Sequence, residues 1–301
     1  MKTLIGIDGS EHSFAAAGLA GRLLVPGRDQ VALYHSCGPL SFGNQVDESL
    51  HERACQAVAN VVFEEAKSRL PVPLRADVQV FQGDGRAAES LVESAERFGA
   101  ELIVLGARGL GRMEGLLLGS VSSSVVRTSH VPVLVVRGNH DESEALRALL
   151  AYDAVHGAQH AEFLSKLAWP DGALGRVVAV VDSMLPGQLP DWIQKRARDA
   201  DTEAISQAWL REHQQDREAK VQELAAYVER LPGPFRSSPP IVVEGNPAEQ
   251  LIALALREKP SIIVVGKATK NLFDRWFIGS VSEKILAHAE CSVLVIPTGK
   301  G

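Results

Sequence analysis

Short apolar runs alternate along this chain with longer segments whose apolar positions recur at helical spacing. Residues 3–7, 30–35, 75–81, 101–105 and 131–136 read as strands. Between them, 13–24, 48–69, 87–98 and 121–128 read as helices, with Ala54, Val58, Val61, Val62 and Ala66 on one face of the second and Leu91, Val92 and Ala95 on one face of the third. Pro71 and Pro73 stop the second helix, and Gly83-Asp84-Gly85 turns the chain into the third. From residue 146 the order recurs, with strands at 146–152, 176–181, 241–243, 261–265 and 292–296 and helices at 160–167, 248–256 and 281–287. Short apolar strands alternating with helices predict parallel βαβ units with right-handed crossovers.

The recurrence is a duplication. Glu89, Leu91, Ile103, Gly106, Gly119, Ser120, Val121 and Ser122 return 160 positions later as Glu249, Leu251, Ile263, Gly266, Gly279, Ser280, Val281 and Ser282. Asp8 matches Asp153 at a displacement of 145, so the second copy holds extra residues, which fit the charged, helix-prone segment 190–231. The expected fold is α/β, two tandem Rossmann-like domains at 1–140 and 145–301 joined by a polar linker at 138–143. The 190–231 helix either packs one side on its own sheet or presents that side to a partner protein.

With 301 residues the chain is long enough for two cores, and 46% hydrophobic with 23% charged residues is an ordinary soluble balance. A formal charge of -6 and the lack of a basic patch with interleaved aromatics argue against nucleic-acid binding. No apolar stretch reaches the ~20 residues of a membrane span, and no secretory signal is read at the start, so the expected compartment is the cytoplasm. Cys37, Cys55 and Cys291 are too few and too scattered to suggest a disulfide framework or a zinc site, and Cys291 reads as a buried, inert thiol. No metal set and no nucleophile–base–acid arrangement is expected.

The chemistry lies in the small residues at strand exits. Gly106-Ala107-Arg108-Gly109 leaves the fourth strand, Gly119-Ser120 opens the next helix, and Asp8-Gly9-Ser10 leaves the first strand. A phosphate needs converging donors, and backbone N–H groups supply them where no Cβ obstructs the approach or a positive φ is required. Ser120, Val121 and Ser122 would offer a helix N-terminus and two hydroxyls to negative charge. Gly111 lets the loop fold over the anion, and Arg108 and Arg112 either contact it or are solvated. Asp8 either accepts from a ribose hydroxyl or caps the first helix, and Gly119-Ser120 either binds or is an ordinary N-cap. Neither the P-loop nor the dinucleotide fingerprint is present.

Gly106-x2-Gly109-x9-Gly119-Ser120, with Ile7-Asp8-Gly9-Ser10 near the start and residues 131–136 at the end, resembles the universal stress protein family over essentially the whole chain. The resemblance implies five-stranded parallel sheets in order 3-2-1-4-5, helices on both faces, and the ATP-binding branch for the first half. It places Asp8 near the ribose, the backbone of Ser36 at adenine, and Gly106, Gly109, Gly119, Ser120 and Val121 around phosphates and ribose of ATP, ADP or AMP, with Ser122 a further hydroxyl and with or without Mg2+. Gly9, Ser10 and Arg108, beside them in sequence, complete the expected nucleotide-binding set. In the second half Asp153, Gly266, Gly279 and Ser280 match. There Thr269 replaces the middle glycine, with Lys267 and Lys270 beside it, so that copy reads as degenerate. Pairing through the last strands is implied, here between the two halves of one chain, with further homodimerisation and a protein partner left open. The expected function is a nucleotide-dependent sensor or regulator of stress. A slow ATPase, for which Asp8 and Glu114 are the nearby acids, and a nucleotide-independent interaction module are the alternatives.

Overall fold

The computed structural model describes residues 1–37, 48–109, 118–140, 143–181, 200–267 and 279–297. Gly111, Arg112, Glu114, Thr269, Lys270 and the start of the charged insertion, 190–199, lie outside the described residues.

The described residues form β1 (Lys2–Gly6), β2 (Gln30–Cys37), β3 (Gln79–Asp84), β4 (Leu102–Gly106) and β5 (Val133–Val136) in the first half. The second half contributes β6 (Arg147–Ala151), β7 (Leu174–Val181), β8 (Ile241–Glu244), β9 (Ile262–Lys267) and β10 (Ser292–Pro297). The helices are α1 (Glu11–Arg22), α2 (Glu48–Arg69), α3 (Ala87–Phe98), α4 (Ser120–Thr128), α5 (Gly157–Lys166), α6 (Ala200–Val228), the single turn α7 (Gly233–Arg236), α8 (Pro247–Glu258) and α9 (Ser280–His288). No helix among the described residues is long and apolar enough to cross a membrane.

The strands lie in one sheet in the order β3-β2-β1-β4-β5-β10-β9-β6-β7-β8, so each half has the 3-2-1-4-5 arrangement. The halves join at β5 and β10, paired antiparallel at Val133↔Val295, Leu134↔Leu294 and Val135↔Val293. All neighbouring pairs within a half are parallel. Two apolar edges that would otherwise invite aggregation thus become an internal seam.

Side-chain alternation along the strands fills both faces. Ile5, Val31, Leu33, Val104 and Leu134 pack with α1, α2, α5 and α6. Leu4, Ala32, Tyr34, Ile103, Leu105 and Val135 pack with α3, α4, α8 and α9. Each of the two cores runs through both halves. From the charged insertion, Leu224, Tyr227 and Val228 of α6 are buried in the first of them.

Reciprocal caps lock the seam. Arg137, just past β5, donates to the carbonyls of Leu286 in α9 and of Cys291. Lys267, at the end of β9, sends its Nζ to the carbonyls of Val126, Arg127 and Ser129 at the C-terminus of α4, at 3.1, 2.5 and 3.3 Å. Cations there meet both the unfilled carbonyls and the negative end of the helix dipole.

Three local features depart from the sequence expectation. The third strand starts at Gln79, because Val72–Leu74 form a tight turn after Pro71 and Arg75 is tied back to the carbonyls of Leu70 and Ser68. Helix α1 is capped by Ser10 and not by Asp8: the Ser10 hydroxyl accepts from the Ser13 N–H at 3.2 Å. Cys37 and Cys55 are joined in a disulfide, although the cysteine count suggested none. They are 18 residues apart, and only the packing of α2 against β2 brings them together.

Candidate functional site

In open parallel sheets a crevice opens where the strand order reverses, beyond the carboxyl ends of the strands. That point here lies between β1 and β4, and a cavity of about 440 Å3 opens there. It gathers Asp8, Ser36, Gly106, Arg108, Gly109, Gly119, Ser120, Val121 and Ser122 from four separate stretches of sequence. Gly9 and Ser10 do not line it.

The glycines of the loop do different work from one another. None of Gly106, Gly109 and Gly119 has a positive φ, so backbone strain does not select them. A Cβ on Gly106 would fall 2.7–2.9 Å from the backbone of His12 and Ser13, so this glycine lets α1 lie against β4. A Cβ on Gly109 would fall 2.4 Å from Asp8 Oδ2, so that glycine makes room for a carboxylate. Gly119 approaches the Ala107 carbonyl and donates its N–H to it at 2.7 Å, which takes one amide away from any ligand. Positive φ instead occurs at Gly9, where the chain turns from β1 into α1.

Hydroxyl bookkeeping also redistributes the roles. Ser10 donates from both its N–H and its hydroxyl to Asp8 Oδ1, at 3.0 and 2.6 Å. Ser10 is therefore a holder of Asp8. Ser122 donates its hydroxyl to the Gly106 carbonyl at 2.7 Å, which uses its only proton. Helix α4 begins with no side-chain cap. The N–H groups of Ser120, Val121 and Ser122 then have no acceptor within the helix, and they face the cavity where the dipole favours negative charge.

The other wall is apolar, made by Leu91 and Ala87 of α3, Leu105 of β4 and Leu118. Tyr34 completes it and was not singled out from sequence. The hydroxyls of Tyr34 and Ser36 are both buried, and neither has a hydrogen-bond partner among the described residues. Both are unsatisfied polar atoms sealed within the cavity wall, which a polar guest would reach only with a small shift of that wall. The signal for Tyr34 was present in the strand alternation, since residues 32, 34 and 36 share a face of β2.

The second half is laid out differently. Asp153 accepts from the Val155 N–H and is bound to the His156 ring at 2.8 Å. Burial pushes the Asp153 carboxyl up, but the hydrogen bonds from His156 and Val155 outweigh it and hold its pKa below the ordinary value. Ser282 donates to the Gly266 carbonyl, repeating the Ser122–Gly106 bond 160 positions on. Gly279 has φ 91°, unlike Gly119 at φ -72°. Lys267 is turned into the seam, and burial lowers its pKa to about 8. Beside Gly157 the rings of Tyr152 and Tyr227 meet at a tilt of 57° with centroids 4.9 Å apart.

The profile of the universal stress protein family matches residues 1–137 and 190–297. A universal stress protein of Mycolicibacterium smegmatis is 26% identical over 309 residues, covering 97% of this chain and 96% of that protein. One of Thermus aquaticus, named for its position in the QAH/OAS sulfhydrylase 3' region, is 35% identical over 136 residues, covering 44% of this chain and 96% of its own length. Among solved structures, a universal stress protein from Archaeoglobus fulgidus superposes with a TM-score of 0.64 at 19% identity, covering 99% of this chain and 97% of that one. At that identity the likeness speaks for the fold.

Proposed function

This chain belongs to the universal stress protein family, and from that premise we propose that its first half holds one adenine nucleotide whose presence sets the protein's conformation or choice of partner. One observation carries the reading. A single cavity combines a carboxylate held in place by Ser10, an uncapped helix N-terminus, and an apolar wall bearing two buried hydroxyls without protein partners. These are the three environments that a nucleotide presents at once. Asp8 would accept from the ribose hydroxyls, and the N–H groups of Ser120 and Val121, with Arg108, would face the phosphates. Leu91 and Leu105 would cover the base, with Ser36 and Tyr34 reaching its polar edge. Mg2+, where present, would arrive on the phosphates.

Hydrolysis is the weaker reading. Asp8 is the one carboxylate lining the cavity among the described residues, and Ser10 engages it. The second half is read as a structural partner that completes the sheet and leaves Asp153 bound to His156. The test is mass analysis of nucleotide released from gently purified, then denatured, protein. ATP, ADP or AMP near one equivalent per chain is the expected result. Full-chain protein that carries no nucleotide and takes up none in calorimetric titration leaves the nucleotide-independent interaction module in its place. Following γ-phosphate release in the same sample separates a sensor from an ATPase.

A further inference from the structure

Strand alternation sends the neighbours Ser36 and Cys37 to opposite faces of β2: Ser36 lines the cavity, and Cys37 meets α2. On α2, His51 and Cys55 are four residues apart and so share one helix face, with His51 Nε2 3.6 Å from Cys55 Sγ. The three donor atoms of Cys37, His51 and Cys55 all lie within 4.8 Å of one another. Around one tetrahedral zinc ion, with Zn–S about 2.3 Å and Zn–N about 2.0–2.1 Å, donors sit roughly 3.5–4 Å apart. That spacing fits inside the observed cluster once the sulfurs are separated. Cys55 is buried, whereas Cys37 and His51 are half-buried, which leaves a path for an ion to enter.

We propose that Cys37, His51 and Cys55 form a redox-gated site for a thiolate-seeking divalent cation of the zinc class. In the disulfide state the sulfurs are bonded to each other and the site is closed. A small dithiol opens it by exchange: two electrons and two protons pass to the Cys37–Cys55 bond, giving two thiols, and the dithiol leaves as its cyclic disulfide. The cation then replaces the two thiol protons, takes the neutral His51 imidazole as third ligand, and keeps one position for water. Disulfide and metal are thus alternative occupants of one place. The proposal is independent of the nucleotide reading, and its test uses no nucleotide.

The test titrates the full chain with Co2+, and then with competing Zn2+, after reduction with a dithiol and anaerobic desalting. The expected result is one equivalent of Co2+ bound with a sulfur-to-cobalt charge-transfer band, displaced by Zn2+. The oxidised chain should bind none. C37S and C55S should abolish the band, C291S should leave it intact, and H51A should weaken binding by about tenfold or more. No band in the reduced chain, a band that survives in C37S/C55S, or an unchanged affinity in H51A overturns the assignment. Should the variants fail to fold, alkylation of the native reduced chain reads the same site. Zn2+ should then slow modification of Cys37 and Cys55 but not of Cys291, whose burial pushes its thiol pKa up to about 11. Rates for Cys37 and Cys55 that ignore Zn2+ overturn the proposal.

Discussion

Two glycines of one loop are expected to fail in different ways when each gains a methyl group. In G106A the new Cβ meets backbone atoms of His12 and Ser13 at 2.7–2.9 Å, and backbone cannot rotate aside. Helix α1 must back away from β4, an overpacking strain of about 1–3 kcal/mol or more. In G109A the new Cβ meets only the Asp8 carboxylate, 2.4 Å from Oδ2, which swings at the expense of its bonds from Ser10. The fold then loses about 1 kcal/mol, while the ligand loses a charge-assisted hydrogen bond worth about 1.5–3 kcal/mol, or roughly 10–100-fold in Kd. Urea denaturation of the nucleotide-free chain reads the first effect, and calorimetric titration with ATP reads the second. G106A should therefore be mainly a stability variant and G109A mainly a binding variant. Native affinity in a folded G109A, or native stability in G106A, refutes the division of labour.

Three further outcomes are expected. Y34F and S36A remove buried hydroxyls that have no protein partner among the described residues, so each should weaken ATP by about 2–10-fold without lowering the unfolding midpoint of the free chain; a lower midpoint with unchanged affinity would place these hydroxyls in the fold alone. His160 is fully buried, and desolvation drops its pKa from 6.5 to about 4, so the unfolded chain binds more protons than the folded one between those values. Stability should be fully present above about pH 6.5 and fall by about 3 kcal/mol on the way to pH 4, and H160L should flatten that part of a denaturation series, whereas an unchanged slope would show the ring to be hydrated. K267M strips three carbonyls at the end of α4 of their donor and should cost about 1–3 kcal/mol, read as a lower unfolding midpoint; no change would show that the seam holds without the Lys267 cap.

The alternation of strands and helices was legible because its periods are local, the duplication because residue types recur at a constant displacement of 160, and the strand order within each half through the family resemblance. A strand repeats every two residues and a helix every 3.6, so the apolar residues of residues 30–37 or 87–98 state their element without knowledge of a neighbour. The small residues at the strand exits, together with the family resemblance, named most of the residues that meet at the β1–β4 crevice. The structure adds a second task to some of them: Gly106 also makes room for α1, and Ser10 and Ser122 place their hydroxyl protons on Asp8 and on the Gly106 carbonyl.

Sequence by itself determined that this chain folds as two α/β halves with small residues at the strand exits, since those properties depend on residue type and spacing. Only tertiary structure decided that Ser122 spends its hydroxyl on the Gly106 carbonyl, that Cys37 meets Cys55, and that Lys267 crosses the seam to cap α4. Each of those depends on which groups become neighbours across 16 to 141 residues of chain, and hydrogen-bond capacity, once filled by such a neighbour, is not written in either partner alone.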